Sequence, residues 1–174
     1  GDIVTIDKTS EKLLSIAIPL LVNSSLIVVP SEYFKNIVLN KIPGIVSEQL
    51  LVSASGGVDK NVFTHLDGYR GLTGTIVYVS RIDTGKGWDI LIDAVSELRS
   101  RGKIIGKRVL FVGYGTQTEL LEKKIKELDL LEYCSYLGPK THQEINELYN
   151  QADVMIFPTM LYESLGLVGL EAMA

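Results

Sequence analysis

The 174-residue sequence predicts an α/β fold, a Rossmann-like parallel sheet with helices on both faces. Three observations point there. From Thr75 onward, short apolar runs (75–79, 108–112, 133–137 and 153–157) alternate with segments whose apolar residues recur at helical spacing. The connections between them are short, which favours right-handed βαβ crossovers. The patterns Thr116-Gln117-Thr118-Glu119 and Thr141-His142-Gln143-Glu144 read as capping boxes opening two of the helices.

The elements follow in order. Residues 1–70 read as the end of a first domain: a helix over about 10–22, a strand over 26–29, a helix over 31–40 and a short apolar stretch over 49–53. Ser31 followed by Glu32 suits a helix N-terminus. The uncharged run Leu13–Val29 is broken by Pro19 and Asn23-Ser24-Ser25, so it reads as a buried helix, a turn and a short strand, not a membrane span. The segment 67–74 reads as an exposed linker into a second domain, 71–174. There Trp88, Leu91, Ile92, Val95 and Leu98 mark one helix. Leu120, Leu121, Ile125 and Leu128 are expected on the buried side of the next, and Ile145 and Leu148 mark the third. A fourth helix is expected from about Gly166. Its abrupt end at Ala174, like the abrupt start, reads as a truncated chain.

Composition narrows the function. Hydrophobic residues make up 46% of the chain, enough for a sizeable core. The net charge of −4, with no basic stripe, argues against a nucleic-acid partner. The single cysteine, Cys134, excludes an intrachain disulfide and a cysteine-based zinc site, and reads as a small buried residue in a reducing compartment. No basic, apolar leader opens the chain.

Ligands of such sheets bind beyond the carboxyl ends of the strands, so the loops there hold the candidate residues. Arg81 and Lys86 lie in the loop Ser80–Gly87 after the first strand of the alternating part, where paired cations could offset a diphosphate. Val112-Gly113-Tyr114-Gly115 ends the next strand but lacks a dinucleotide fingerprint, so a tight turn also explains it. Leu137-Gly138-Pro139-Lys140 ends the third and either borders a base pocket or only terminates the strand. Glu163 and Glu171 bracket the turn leading into the last helix. On one continuous helix they would stand about 12 Å apart along the axis and would not meet. With a helix starting near Gly166, both could border one ligand beside a terminus whose N–H groups attract anions. That arrangement suits a ligand carrying phosphate and polyol, such as a nucleotide-sugar. Asp-x-Asp, the usual metal-diphosphate signature, is absent, and no metal or other cofactor is expected.

In order along the chain, these residues resemble the retaining, nucleotide-sugar-dependent glycosyltransferases of the GT-B fold, the group 1 family (glycosyltransferase family 4). The matching segments are Val28–Tyr33, Ser55-Gly56-Gly57-Val58-Asp59, the Arg-x4-Lys-Gly loop at Arg81–Gly87, Val112–Gly115, Ala152–Pro158, and Glu163-x7-Glu171. The resemblance implies that 71–174 is the C-terminal, donor-binding half of a GT-B fold and that 1–70 is a remnant of the acceptor-side domain. Arg81 and Lys86 would hold the donor diphosphate. Backbone N–H groups of Gly166, Leu167 and Val168 would hold its distal phosphate. Glu163 would touch the sugar hydroxyls and Glu171 the ribose diol, with Gly113, Gly115 and Ser164 completing the donor site. The catalytic assignment would fall on Glu163, Arg81 and Lys86. The implied reaction moves a sugar from a UDP- or GDP-sugar to a sugar or lipid-linked acceptor with retention, in polysaccharide or glycoconjugate biosynthesis. A cytoplasmic location follows, with peripheral attachment to the inner face of the membrane if the acceptor is lipid-linked. Ser80 departs from the glycine frequent at its position, and the first domain's glycine-rich loop and histidine are missing, so the chain alone is expected to be inactive. The competing readings are a GT-B sugar epimerase and a non-catalytic nucleotide-sugar binding module.

Overall fold

The computed structural model describes residues 11–54, 56–66, 68, 73–163 and 165–174. Ser55 of the junction motif, most of the 67–74 linker and Ser164 therefore lie outside the described residues. The chain divides into two compact units: one runs up to Gly57 and includes Tyr162–Leu165, and the other comprises Val58–Leu161 and Gly166–Ala174.

The first unit contains α1 (Glu11–Val22), β1 (Ile27–Val29), α2 (Glu32–Lys41), a 3-10 turn (Ser47–Gln49) and β2 (Leu50–Val52). Ser31 caps α2 as its sequence suggests, its hydroxyl accepting from the Phe34 N–H at 3.4 Å. Strands β1 and β2 pair in parallel, with Val28 opposite Leu51. The core gathers Val29, Phe34, Val38, Ile42, Ile45 and Leu50. The expected burial of α1 is corrected. Ile18, Leu21 and Val22 pack on that core, but Leu13, Ile16 and Leu20 are 56–67% exposed. The helix is apolar on several sides, and the unit offers it only one surface.

The second unit matches the predicted alternation. Its elements are β3 (Thr75–Val79), α3 (Trp88–Ser100), β4 (Arg108–Val112), α4 (Thr118–Glu127), β5 (Cys134–Tyr136), α5 (His142–Gln151), β6 (Val154–Met155) and α6 (Leu167–Met173). All pairings are parallel, in the order β5-β4-β3-β6. In this order the chain steps outward from β3 through β4 to β5, then returns to the other side of β3. The place where the direction reverses, between β3 and β6, is the topological switch point, where doubly wound sheets hold their ligands. One core cluster packs Tyr78, Ile82, Trp88, Ile92, Phe111, Leu121 and Ile125 between the sheet, α3 and α4. Another lies towards α5, around Val77, Val79, Val112 and Ile145.

Local expectations fare unevenly. The Thr141 capping box forms, with the Thr141 hydroxyl accepting from Glu144 N–H at 3.3 Å and the Glu144 carboxylate accepting from Thr141 N–H at 2.8 Å. The box expected at Thr116 does not form; α4 starts from Gln117, without a side-chain cap. The Thr116 N–H, which the box would give to Glu119, donates to the Asp83 carboxylate instead, as does the Thr116 hydroxyl. Leu120, expected to be buried, is 42% exposed, because the inward stripe of α4 runs through Leu121, Ile125 and Leu128. The last strand is shorter than the predicted 153–157. At its start the Asp153 carboxylate accepts from the N–H groups of Thr73 (2.8 Å) and Thr75 (2.9 Å), and Pro158 beyond it has no N–H to donate. Among the described residues, no helix is long and apolar enough to cross a membrane.

Candidate donor-phosphate site

The loop Ser80–Gly87 leaves β3 at the switch point and is fixed on three sides. Towards β4, the parallel ladder continues past both strands. Ser80 N–H donates to Val112 O (3.1 Å), Ile82 N–H to Tyr114 O (3.0 Å) and Gln117 N–H to Ile82 O (2.9 Å). This close approach explains the glycines of Val112–Gly115. A Cβ on Gly113 would collide with the Ser80 carbonyl oxygen, and one on Gly115 would stand 2.6 Å from Asp83 Oδ1. The two glycines thus let one loop lie against the next.

Towards β6, Met160 N–H donates to Gly85 O at 2.8 Å, and a Cβ on Gly87 would collide with Pro158 O. Gly87 has φ +77° and serves as the N-cap of α3, followed at once by buried Trp88. From beneath, the hydroxyl of fully buried Tyr78 points at the carbonyls of Lys86 (3.1 Å) and Arg81 (3.3 Å), tying together both ends of the cationic stretch.

The two cations sit differently on this frame. The Arg81 side chain is 67% exposed and pairs with Asp83 at 2.9 Å. Lys86 is half-buried. The Asp83 carboxyl is held below its usual range, first by the Thr116 N–H and hydroxyl and then by the charges of Arg81 and Lys86. Two cations on a braced loop at the switch point can receive a diphosphate without reorganising the backbone.

The other predicted residues with a described structure are Glu163 of the first unit and those of the last helix in the second. Gly166 is the N-cap of α6 at φ +68°, packed against Phe157, with Leu167 and Val168 opening the first turn. The helix thus starts where the sequence suggested, and Glu163 lies ahead of it in the Tyr162–Leu165 segment, half-buried. In that same unit the ring of Tyr162 stacks on Tyr33, centroids 5.9 Å apart. Glu171 sits in the second turn of α6, and burial pushes its carboxyl pKa up, partly countered by His142. Tyr149 of α5 donates to Val168 O at 3.1 Å and so ties α5 to the start of α6. Among the described residues, no three His, Cys, Asp or Glu side chains gather as metal ligands would.

Four residues that hold these segments escaped the sequence reading: Tyr78, Asp83, Asn146 and Asn150. Asn146 and Asn150, one turn apart on α5, accept from the N–H groups of Thr64 (3.1 Å) and Leu66 (2.8 Å) and fasten the segment after the junction motif. Only Asp83 left a signal, as a carboxylate two residues from Arg81.

The family model described as "Glycosyl transferases group 1" matches residues 72–174, more than half of the chain. The chain belongs to this family. Among curated relatives of this group 1 chain, the D-inositol 3-phosphate glycosyltransferase of Mycobacteroides abscessus is 31% identical over 131 residues, covering 68% of this chain and 28% of the relative. The glycogen synthase of Mycobacterium tuberculosis is 32% identical over 99 residues, covering 57% of this chain and 23% of the relative. The chain thus spans about a quarter of the length of the curated relatives it matches. Among solved structures, Anabaena Alr3699/HepE, determined with UDP and glucose, superposes with a TM-score of 0.78 at 22% identity, over 99% of this chain and 48% of that one. Sucrose-phosphate synthase from Thermosynechococcus elongatus gives 0.78 at 22%, over 96% and 43%. At these identities the likeness is one of fold, and it agrees with the Rossmann-like half of a GT-B glycosyltransferase expected from the sequence.

Proposed function

We propose that the protein containing this group 1 chain is a glycosyltransferase. It moves a sugar from a nucleoside-diphosphate sugar, UDP- or GDP-linked, to a sugar or lipid-linked acceptor, retains the anomeric configuration and needs no metal ion. The observation that carries the reading is the braced loop holding Arg81 and Lys86 at the switch point. Family membership supports it, as does the UDP held by the solved Anabaena neighbour. In this reading Arg81 and Lys86 neutralise the donor diphosphate as the glycosidic bond breaks. Preorganised donors aimed at developing charge usually supply the largest part of such a rate enhancement. The N–H groups of Gly166, Leu167 and Val168 receive the distal phosphate. Glu163 takes the sugar hydroxyls and Glu171 the ribose, and Gly113, Gly115 and Ser164 belong to the same donor-binding set.

The test is product analysis with the full-length protein, UDP- and GDP-sugars and an acceptor panel in the presence of EDTA, reading the new linkage by NMR. An acceptor-dependent product with the donor's own anomeric configuration supports the proposal. An inverted linkage or loss of transfer in EDTA removes retention or metal independence, respectively. A donor epimer formed without acceptor would favour the epimerase, and donor binding with no product the binding module.

A further inference from the structure

Asp83 does more at the switch point than balance charge, because its two carboxylate oxygens face different loops. Oδ1 accepts from the Thr116 N–H (2.7 Å) and hydroxyl (2.9 Å), on the loop between β4 and α4. Oδ2 pairs with the Arg81 guanidinium at 2.9 Å, on the carboxylate's own loop. The flanking backbone repeats the link through Ile82, which donates to Tyr114 O and accepts from Gln117 N–H. Gly115 leaves the room, since a Cβ there would press on Oδ1 at 2.6 Å.

An ordinary surface ion pair joins two mobile side chains and contributes little. Here one partner is already held: the Asp83 side chain is 18% exposed and fastened to backbone, while that of Arg81 is 67% exposed. The restraint therefore passes from the fixed carboxylate to the mobile guanidinium. A guanidinium has five N–H donors, so pairing with one carboxylate oxygen leaves others for phosphate oxygens.

We propose that Asp83 is a positioning residue for the donor diphosphate, holding Arg81 in its phosphate-binding pose and locking that pose to the Thr116 loop. The proposal rests on the reading of Arg81 as a diphosphate ligand. Asp83 acts through Arg81 and is given no contact with the reacting atoms.

A double-mutant cycle on the full-length protein tests it, with UDP as the probe in calorimetry (GDP in its place where the parent binds GDP and not UDP) and the melting temperature recorded for each variant. Arg81→Ala is expected to weaken UDP binding by about 12- to 150-fold, as loss of a charge-assisted contact does. Asp83→Asn keeps an acceptor for Thr116 but loses the charge facing Arg81, and should weaken UDP binding about fivefold in the parent background. In the Arg81→Ala background the same substitution should change binding by less than about twofold, because the group it positions is gone. An equal loss in both backgrounds would make Asp83 merely structural and overturn the proposal, as would unchanged or tighter binding from Asp83→Asn alone. If Arg81→Ala itself leaves UDP binding unchanged, the donor-site reading fails first and the positioning role falls with it. Should Asp83→Asn not fold, Asp83→Glu goes through the same cycle. A loss confined to the parent background supports the proposal, and an equal loss in both overturns it.

Discussion

Replacing Gly87 with alanine should separate two costs that glycine removes at once. The first is conformational: Gly87 has φ +77°, where an L side chain costs about 1–2 kcal/mol. The second is steric: a Cβ there would run into the carbonyl of Pro158, so the β3 and β6 loops would have to part. Forcing extra atoms into a packed contact typically costs about 1–3 kcal/mol. Gly102 supplies the control. It has φ +65°, but a Cβ there meets nothing within 4 Å. Gly102→Ala should therefore cost about 1–2 kcal/mol and Gly87→Ala about 2–5 kcal/mol. The assay is urea unfolding of the 174-residue chain followed by the fluorescence of Trp88, its single tryptophan, which is buried beside the substituted glycine and donates to Gln117 Oε1 at 3.0 Å. Equal destabilisation by the two substitutions would refute the claim that the β3 and β6 loops meet at Gly87.

The remaining predictions concern the rest of the second unit. Hydrogen bonds from Thr141 and Lys140 lower the Glu144 carboxyl pKa from 4.5 to about 2, so its stabilisation is present above the unfolded value and is lost as pH falls through the folded one. Glu144→Ala should lower the melting temperature at pH 7, and its gap from the parent should close between about 4.5 and about 2; a gap independent of pH would remove the charged cap. Burial pushes the Cys134 thiol up to about 12, so a disulfide reagent at pH 8 should label it only after denaturant is added, and stoichiometric labelling of the native chain would contradict its burial at the start of β5. Asn146→Ala strips the acceptor from the Thr64 N–H and should cost about 1–3 kcal/mol in the same urea assay; no loss would mean that the 64–66 segment is fastened elsewhere.

The sequence carried the fold where one rule dominated. Thr75–Val79 and Arg108–Val112 are unbroken apolar-rich runs flanked by turn residues, and both strands match those bounds. The Thr141 box is local and forms, since its partners are three residues apart. The Thr116 box failed because its competitor, Asp83, is 33 residues away and invisible to a local pattern. Burial of α1 was misjudged for a related reason: apolar content says what a helix could bury, not how much surface its neighbours provide. At the site, the place of Arg81 and Lys86, on the loop at the carboxyl end of β3, was legible from the strand pattern, and the start of α6 from Gly166. The brace beneath them was not. Tyr78 looks like any aromatic in a buried strand until its hydroxyl is seen against the Arg81 and Lys86 carbonyls.

The central claim, that the Arg81–Lys86 loop receives a nucleoside diphosphate, is tested most directly by calorimetric titration of UDP and GDP into the full-length protein and its Arg81→Ala variant. The account predicts saturable binding of one of the two nucleotides, weakened by the substitution by about 1.5–3 kcal/mol as for a hydrogen bond to a charged group. Equal affinity in parent and variant, with both shown to be folded, would contradict it.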